Sequence, residues 1–274
     1  AKPYGRIWKM SGNSSDLEAI QKETEQLLQA DFNEEEVGFL KDHLSHKDLR
    51  VRRKAQFELA KRDSEGAEAF QEILSESSDQ LAKVHAIVGL SQLARLEDMK
   101  YAESMLPSLS DPDPEIRAQA AKWLGDIRYA AAGELLLPGL KDDNARVQFF
   151  NAEALGRIAF EPAKKPLIDL LKENNDDDAY LRHAATLALA RIGDEAILAN
   201  LSTDPSRAAR MGAVIALRRL ESPELSRFLM DEDELIVTEA ARAIHDDFSV
   251  PEALPALADL ISTTTFDNEP LMRR

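Results

Sequence analysis

The sequence contains no cysteine, few aromatic residues and a deficit of positive charge. Without cysteine the chain can form neither disulfide bonds nor thiolate metal ligands, so the residues leave the redox compartment open. Its 34 lysine and arginine residues are outnumbered by 50 aspartate and glutamate residues, which gives a formal net charge of −16. This balance opposes the neutralisation of phosphates by basic side chains and argues against a nucleic-acid partner.

Long apolar runs are also absent. No segment approaches the roughly 20 apolar residues that cross a bilayer, and the start of the chain, AKPYGRIWKM, lacks the apolar core of a signal peptide. The sequence therefore predicts no membrane span. Phosphate-binding loops, dinucleotide-binding glycines and serine nucleophile elbows are missing as well. We therefore expect no catalysis by this chain and no cofactor.

What the sequence does contain is a repeated pattern: an acidic or small polar residue, an aliphatic anchor three residues later, a basic residue, alanines and a leucine. Successive anchors lie 27 to 36 residues apart, which is the length of a two-helix repeat. Residues four and eight positions past the anchor share its helical face. The anchors are Val51, Ala82, Ile116, Val147, Leu181, Ala209, Ile236 and, in a truncated copy, Met272.

Side chains that can accept hydrogen bonds from the free amides of a helix start stand three residues before the anchors. They predict the N-caps of the second helices, at Asp48, Asp79, Asp113, Asn144, Asp178, Ser206 and Asp233. An amphipathic segment ahead of each cap predicts a first helix. Pro107 and Pro138, each nine residues before an anchor, predict that two of the first helices are bent.

The capping aspartate, the aliphatic–arginine pair and the A-x-x-L-G ending, as in DPEIRAQAAKWLG, resemble HEAT repeats of the phycobilisome-lyase-like bacterial type. The resemblance implies an all-α fold, a right-handed α–α superhelix or HEAT-repeat solenoid of about seven helix pairs. Residues 33–274 would form this solenoid, truncated at its C-terminus, and residues 14–32 an N-terminal capping helix. Such repeats occur in scaffolds, lyases, hydroxylases and glycosylases, so the fold leaves the function open.

Residues 1–13 do not follow the repeat. The segment YGRIWKM alternates as a strand does, and it is similar to the closing strand of sugar-dehydrogenase-like β-propellers. In some large bacterial proteins such a propeller precedes HEAT repeats and a cytochrome c domain. The resemblance implies a multidomain parent outside the cytoplasm, and the start at Ala1 and the ending NEPLMRR favour an excised piece. The alternative is an N-terminal strand or arm on the first helix, in a cytoplasmic protein.

Three arginines stand ten residues past the anchors of consecutive repeats: Arg157, Arg191 and Arg219. Second helices line the concave surface in the geometry that the resemblance implies, so these arginines would form a basic stripe able to bind an acidic peptide or an anionic ligand. Phe150 and Trp123, near the start of the stripe, are candidate contact residues. The alternatives are ion pairs with neighbouring carboxylates and buried aromatic rings.

A basic residue directly after the anchor recurs in six of the eight copies. This recurrence predicts a structural ladder in which each basic residue reaches a capping aspartate of its own or the adjacent repeat, at Arg52, Lys83, Arg117, Arg182, Arg210 and Arg273. His43 and His46 have a spacing that metal ligands also show, but no third ligand is evident, so we expect no metal site.

These observations favour a non-catalytic scaffold or spacer that contacts a protein, a peptide or adjacent domains of its own chain. The alternative is a bilin-lyase-like or other ligand-handling protein that binds a tetrapyrrole in the concave groove. A HEAT-like DNA glycosylase is a third hypothesis, against which the negative charge argues.

Overall fold

The computed structural model describes residues 15–246 and 250–274, with side chains from Glu18 onward. The chain divides into two compact units, one ending at Glu97 and the other running from Asp98 to Arg274. The strand or arm predicted at residues 1–13 lies outside the described residues, so the similarity to a propeller strand stays a prediction.

The described part of the first unit contains five α-helices, α1 (Ser15–Gln29), α2 (Val37–Asp42), α3 (Leu49–Leu59), α4 (Asp63–Glu76) and α5 (Gln80–Leu96), and the 3-10 helix His43–Ser45. The helix α1 forms where the capping helix is predicted, and it contacts α3. The Lys54 amine of α3 donates hydrogen bonds to the carbonyl oxygens of Leu27 and Leu28, both at 3.1 Å. A cation from α3 thereby satisfies carbonyls that the end of α1 leaves free.

Ten α-helices, joined by 3-10 helices, follow in the described part of the second unit: α6 (Pro114–Asp126), α7 (Gly133–Leu136), α8 (Ala145–Arg157), α9 (Lys164–Asn174), α10 (Ala179–Ile192), α11 (Glu195–Asn200), α12 (Arg207–Arg219), α13 (Glu234–His245), α14 (Leu254–Thr263) and α15 (Glu269–Met272). The second helices α6, α8, α10, α12 and α13 each contact the next and form one layer. The first element of each repeat packs against its own second helix. The described residues contain no strand, and the predicted all-α fold is confirmed.

All seven predicted N-caps are confirmed. Each of these side chains accepts a hydrogen bond from a backbone amide in the first turn of its helix. The seven anchors from Val51 to Ile236 are buried, as are the leucine or isoleucine residues eight positions later, and none is more than 7 % exposed. Seven helix pairs and the start of an eighth are therefore present in the described chain.

Two predicted first helices differ from the expectation of a bent α-helix. The segment around Pro107 is a 3-10 helix, Met99–Ser110, and Pro138 lies in the 3-10 helix Leu137–Lys141, which follows the single turn of α7. Proline lacks the amide hydrogen that an α-helical bond requires, and its ring clashes with the carbonyl one turn earlier. The tighter winding keeps the amphipathic face without that bond.

The anchor predicted at Met272 is wrong by one residue. Asn268 caps α15 by accepting a hydrogen bond from the Leu271 amide at 2.8 Å, so the position three residues past the cap is Leu271. Leu271 is buried, whereas Met272 is 62 % exposed. Arg273 therefore falls out of the ladder register and pairs with Glu269 of its own helix.

The predicted ladder exists, but its partners are different from those expected. Arg117 makes a two-pronged ion pair with Asp142, at 2.8 and 3.0 Å, and Arg210 does the same with Asp231, at 2.8 and 3.2 Å. These aspartates lie two residues before the caps of the following helices, and Arg182 meets the equivalent Asp176 of its own repeat.

Besides the ion pairs with aspartates, the ladder arginines donate hydrogen bonds to backbone carbonyls. Arg52 donates to the carbonyl oxygens of His46 and Lys47, at 2.5 and 2.9 Å, and Arg210 donates to that of Asp204 at 2.9 Å. Arginines outside the ladder bind two of the caps instead: Arg50 donates to Asp48 at 2.7 Å and Arg207 to Asp233 at 2.6 Å.

A buried polar network joins α3 to α5 in the first unit. The Nε atom of Arg52 donates to Nε2 of His85 at 3.1 Å, and Nδ1 of His85 lies 2.6 Å from Oε1 of Gln56. Burial first, and then the charges of Arg52 and Arg53, lower the pKa of His85 to about 4. His85 is therefore neutral at pH 7, and its proton is on Nδ1.

Glycines allow the second helices to approach closely. A Cβ atom at Gly125 in α6 would lie 2.6 Å from the Cα atom of Ala154 in α8. A Cβ atom at Gly156 in α8 would lie 2.5 Å from the Cα atom of Ala188 in α10. Both glycines close an A-x-x-L-G ending, so this part of the repeat determines how near the ends of α6, α8 and α10 come to one another.

Candidate functional site

The three predicted arginines lie at the C-terminal ends of neighbouring second helices. Arg157 is the last residue of α8, Arg191 the penultimate residue of α10 and Arg219 the last residue of α12. Because α8 contacts α10 and α10 contacts α12, the three side chains are brought to one side of the layer. Their guanidinium groups lie where helix carbonyls are unsatisfied, which favours cations.

Two carboxylates pair with the first two arginines. Arg157 lies 3.2 Å from Asp126 and 3.5 Å from Glu153, and Glu153 also lies 3.8 Å from Arg191. The alternative of ion pairs is therefore correct for Arg157 and Arg191. Their side chains nevertheless remain about one-third exposed, at 36 % and 33 %.

The third predicted arginine has no such partner. Within the part of the chain that the structure describes, the side chain of Arg219 forms neither an ion pair nor a hydrogen bond, and the residue is exposed. Arg128, which follows α6, has the same properties. We refer to Arg128, Arg157, Arg191 and Arg219 as the arginine cluster.

Arg128 is a member that the sequence reasoning missed. It stands twelve residues past its anchor, where the chain turns out of the second helix with a φ of 55°. The same register holds a residue of positive φ in four further repeats, at Asp63, Ala159, Gly193 and Glu221. Gly193 is the one signal for this turn in the sequence, because glycine favours the left-handed conformation that ends many helices.

The charges of the arginine cluster affect one another. Burial first, and then the charge of Arg157, lower the pKa of Arg191, and Arg219 and Arg128 act in the same direction. Glu153 opposes them without reversing the shift. The Arg191 guanidinium therefore lies in a positive field that an anion would relieve.

The predicted aromatic contacts are at two places. Trp123 is half-buried on α6, donates from its indole nitrogen to Oε1 of Gln119 at 3.2 Å, and has the Lys122 amine 3.6 Å from its ring centre. That amine also binds Asp126 at 3.0 Å, so Trp123 borders the arginine cluster.

Phe150 lies two turns before Arg157 on α8. It packs edge-to-face on Phe149, with ring centres 5.1 Å apart, and the Arg146 guanidinium is 4.9 Å from its ring centre. Phe149 and Phe150 line an open cavity of about 310 Å³ together with Ala145, Arg146, Asp178, Tyr180 and Leu181. Tyr180, which the sequence reasoning did not select, is 77 % exposed at this cavity. We call this cavity the aromatic pocket.

The described residues provide no group of three or more histidine, aspartate and glutamate side chains that could hold a metal. His43 and His46 are half-buried and have local roles: Nδ1 of His43 lies 2.7 Å from the Phe39 carbonyl oxygen, and Nδ1 of His46 accepts from the Asp48 amide at 3.0 Å. None of the described helices combines the length and the hydropathy that a membrane crossing requires.

The repeated helix pairs, their caps and the single layer of second helices define a helical repeat protein. A family model described as HEAT repeats matches residues 102–190 and 165–231. The chain therefore contains HEAT repeats, over residues 102–231. Among curated proteins, no sequence matches the chain.

The chain is also similar to several solved structures, one of them with a TM-score above 0.5. The chain is 18 % identical to Escherichia coli YibA, with 97 % of each chain covered and a TM-score of 0.52. An engineered protein is 22 % identical over 95 % of this chain and 79 % of its own, with a TM-score of 0.46. The CpcE–CpcF complex of phycocyanin lyase from Nostoc sp. PCC7120 is 18 % identical over 83 % of this chain and 94 % of its own, also with a TM-score of 0.46.

Proposed function

We propose that this protein is a non-catalytic interaction module whose arginine cluster binds an acidic segment of a partner protein. HEAT repeats commonly mediate protein interactions, and the fold supports this class of function. The observation that carries the proposal is the pair of arginines without a partner in the described chain, Arg128 and Arg219, beside the coupled pair Arg157 and Arg191.

Carboxylates suit this cluster for a physical reason. A guanidinium group binds a carboxylate through two parallel hydrogen bonds, and such charge-assisted bonds are stronger than neutral ones. Arg191 is held among like charges, so a bound carboxylate would reduce repulsion as well as form hydrogen bonds. The remaining surface of a chain with a net charge of −16 repels acidic segments, which would direct them to the cluster.

The partner is either a separate protein or another part of a larger chain. The similarity of YGRIWKM to a propeller strand supports, within the same proposal, a spacer role in a multidomain, dehydrogenase-like bacterial parent. An adjacent domain would then supply the acidic segment.

The test is binding of a fluorescein-labelled oligoglutamate peptide, measured by fluorescence anisotropy. We expect binding at low salt that weakens as salt is added, because exposed charges are screened. The double variant Arg128→Glu/Arg219→Glu should weaken binding about tenfold or more, since two charge-assisted contacts are lost. It breaks no ion pair of the described chain, so the fold is not at risk from lost contacts.

The matched control is Lys141→Glu/Lys165→Glu. Both lysines are exposed and lie on first elements of repeats in the second unit. Their replacement by glutamate changes the net charge by the same amount as Arg128→Glu/Arg219→Glu does. The control should keep most of the affinity of the original protein. Equal loss in both double variants would show that binding depends only on net charge and would contradict the proposal.

A further inference from the structure

The aromatic pocket and the arginine cluster share two helices. On α8, Phe150 precedes Arg157 by seven residues, which is about 10 Å along the axis at 1.5 Å per residue. Seven residues are also nearly two whole turns, so the two side chains lie on the same face. On α10, Tyr180 precedes Arg191 by eleven residues, or about 16 Å. One surface therefore carries an apolar cavity at one end and guanidinium groups at the other.

The polar groups at the pocket are already occupied. Arg146 forms an ion pair with Glu115 at 2.9 Å. The Asp178 carboxylate accepts hydrogen bonds from the amides of Tyr180 and Leu181, at 2.7 and 3.2 Å, as the N-cap of α10. What the pocket still offers an incoming group is the aromatic faces and the aliphatic floor of Leu181.

The dimensions of the pocket restrict its occupant. A volume of about 310 Å³ is at the lower end of the range for ligand cavities. It accommodates one large apolar side chain. Tyr180 is a rigid, exposed aromatic group of the kind that is enriched at the centres of protein interfaces.

We infer that the partner segment carries one large apolar residue, which enters the aromatic pocket, and carboxylates about three to five residues away in sequence, which bind the arginine cluster. The spacing follows from spans of about 10 and 16 Å, because an extended chain advances about 3.3 Å per residue. Charge complementarity identifies the occupant, since an apolar segment with basic flanks would be repelled at the cluster. The inference rests on the proposed function and adds the residue pattern that the site would recognise in the partner segment.

The test is a series of labelled peptides in which one tryptophan stands at increasing distance from a block of glutamates, on either side of it. Affinity should be highest when about three to five residues separate the two. The best peptide should bind about tenfold more tightly than the oligoglutamate peptide alone, because an aromatic side chain leaves water.

Two variants of the protein test whether the tryptophan of the peptide binds in the aromatic pocket. Tyr180→Ala should remove the gain from tryptophan and keep the affinity for oligoglutamate. Because Tyr180 is 77 % exposed, its truncation removes little packing from the fold. The matched control is Leu135→Ala, which truncates a side chain that is 51 % exposed on α7 and away from the pocket residues. It should leave both affinities unchanged.

The outcomes separate the two claims. If the peptides bind with an affinity that depends neither on tryptophan nor on spacing, the inference is overturned and the proposed function stands. If tryptophan peptides bind equally well without glutamates, or Tyr180→Ala keeps the gain, the inference is also overturned. If no acidic peptide binds, both claims fail.

Discussion

Replacing Gly156 with alanine should push α8 away from α10. The added Cβ atom would lie 2.5 Å from the Cα atom of Ala188, whereas carbon atoms in contact are about 3.5 to 4 Å apart. The helices must therefore separate by about 1 Å or more at this point. Overpacking of this kind costs about 1 to 3 kcal/mol, and the better helix propensity of alanine offsets about 1 kcal/mol of it.

We expect the free energy of unfolding of Gly156→Ala to fall by up to about 2 kcal/mol, measured by urea denaturation followed by circular dichroism. Gly156 precedes Arg157 directly, and the shift would also lengthen the 3.8 Å contact between Glu153 and Arg191. Peptide binding should therefore change together with stability.

Gly38→Ala provides the control, because nothing lies within 4 Å of a Cβ atom at this exposed position in α2. It should raise the free energy of unfolding by up to about 1 kcal/mol through helix propensity alone. If Gly156→Ala were as stabilising as Gly38→Ala, the close approach of α8 and α10 would be refuted.

Three further predictions concern stability and ligand class. The neutral His85 has a folded pKa of about 4 against an ordinary 6.5, so its contribution is complete above pH 6.5 and is lost as the pH falls towards 4. Between pH 7 and 5, the free energy of unfolding measured by urea denaturation should fall by about 2 kcal/mol more in the original protein than in His85→Gln. An equal fall in the two proteins would contradict this prediction. Asp231→Ala should cost about 3 kcal/mol, because Arg210 and Asp231 are only 8 % and 2 % exposed and the cation would keep only the more distant Glu232, at 3.6 Å. Arg227→Ala breaks a largely exposed pair and should cost little, and equal losses would refute the argument. Mixing with a linear tetrapyrrole should leave the absorbance spectrum of the pigment unchanged, whereas a shifted band would favour the lyase-like alternative.

The second helices were predictable because their signals are local. A cap such as Asp113 acts on amides two or three residues away, and the anchor and leucine positions follow from the helical period alone. The first elements were less predictable. Their α or 3-10 winding depends on Pro107 and Pro138 and on packing against the second helices, which the apolar spacing of a short segment does not reveal.

The candidate site was predictable only in part, for the same reason. Arg157, Arg191 and Arg219 share a register, so the repeat alone aligned them. Arg128 joins them from a turn whose direction is set by a positive φ, and a non-glycine residue there gives no sequence signal. Tyr180 lines the aromatic pocket because α8 and α10 are adjacent, which is a contact between residues 30 positions apart.

The most direct test of the central claim is amide hydrogen exchange with and without the oligoglutamate peptide. Our account predicts that bound peptide slows exchange most at the C-terminal ends of α8, α10 and α12 and in the turn at Arg128, and that Arg128→Glu/Arg219→Glu abolishes this protection. Protection by bound peptide that is confined to other helices, with these ends unchanged, would contradict it.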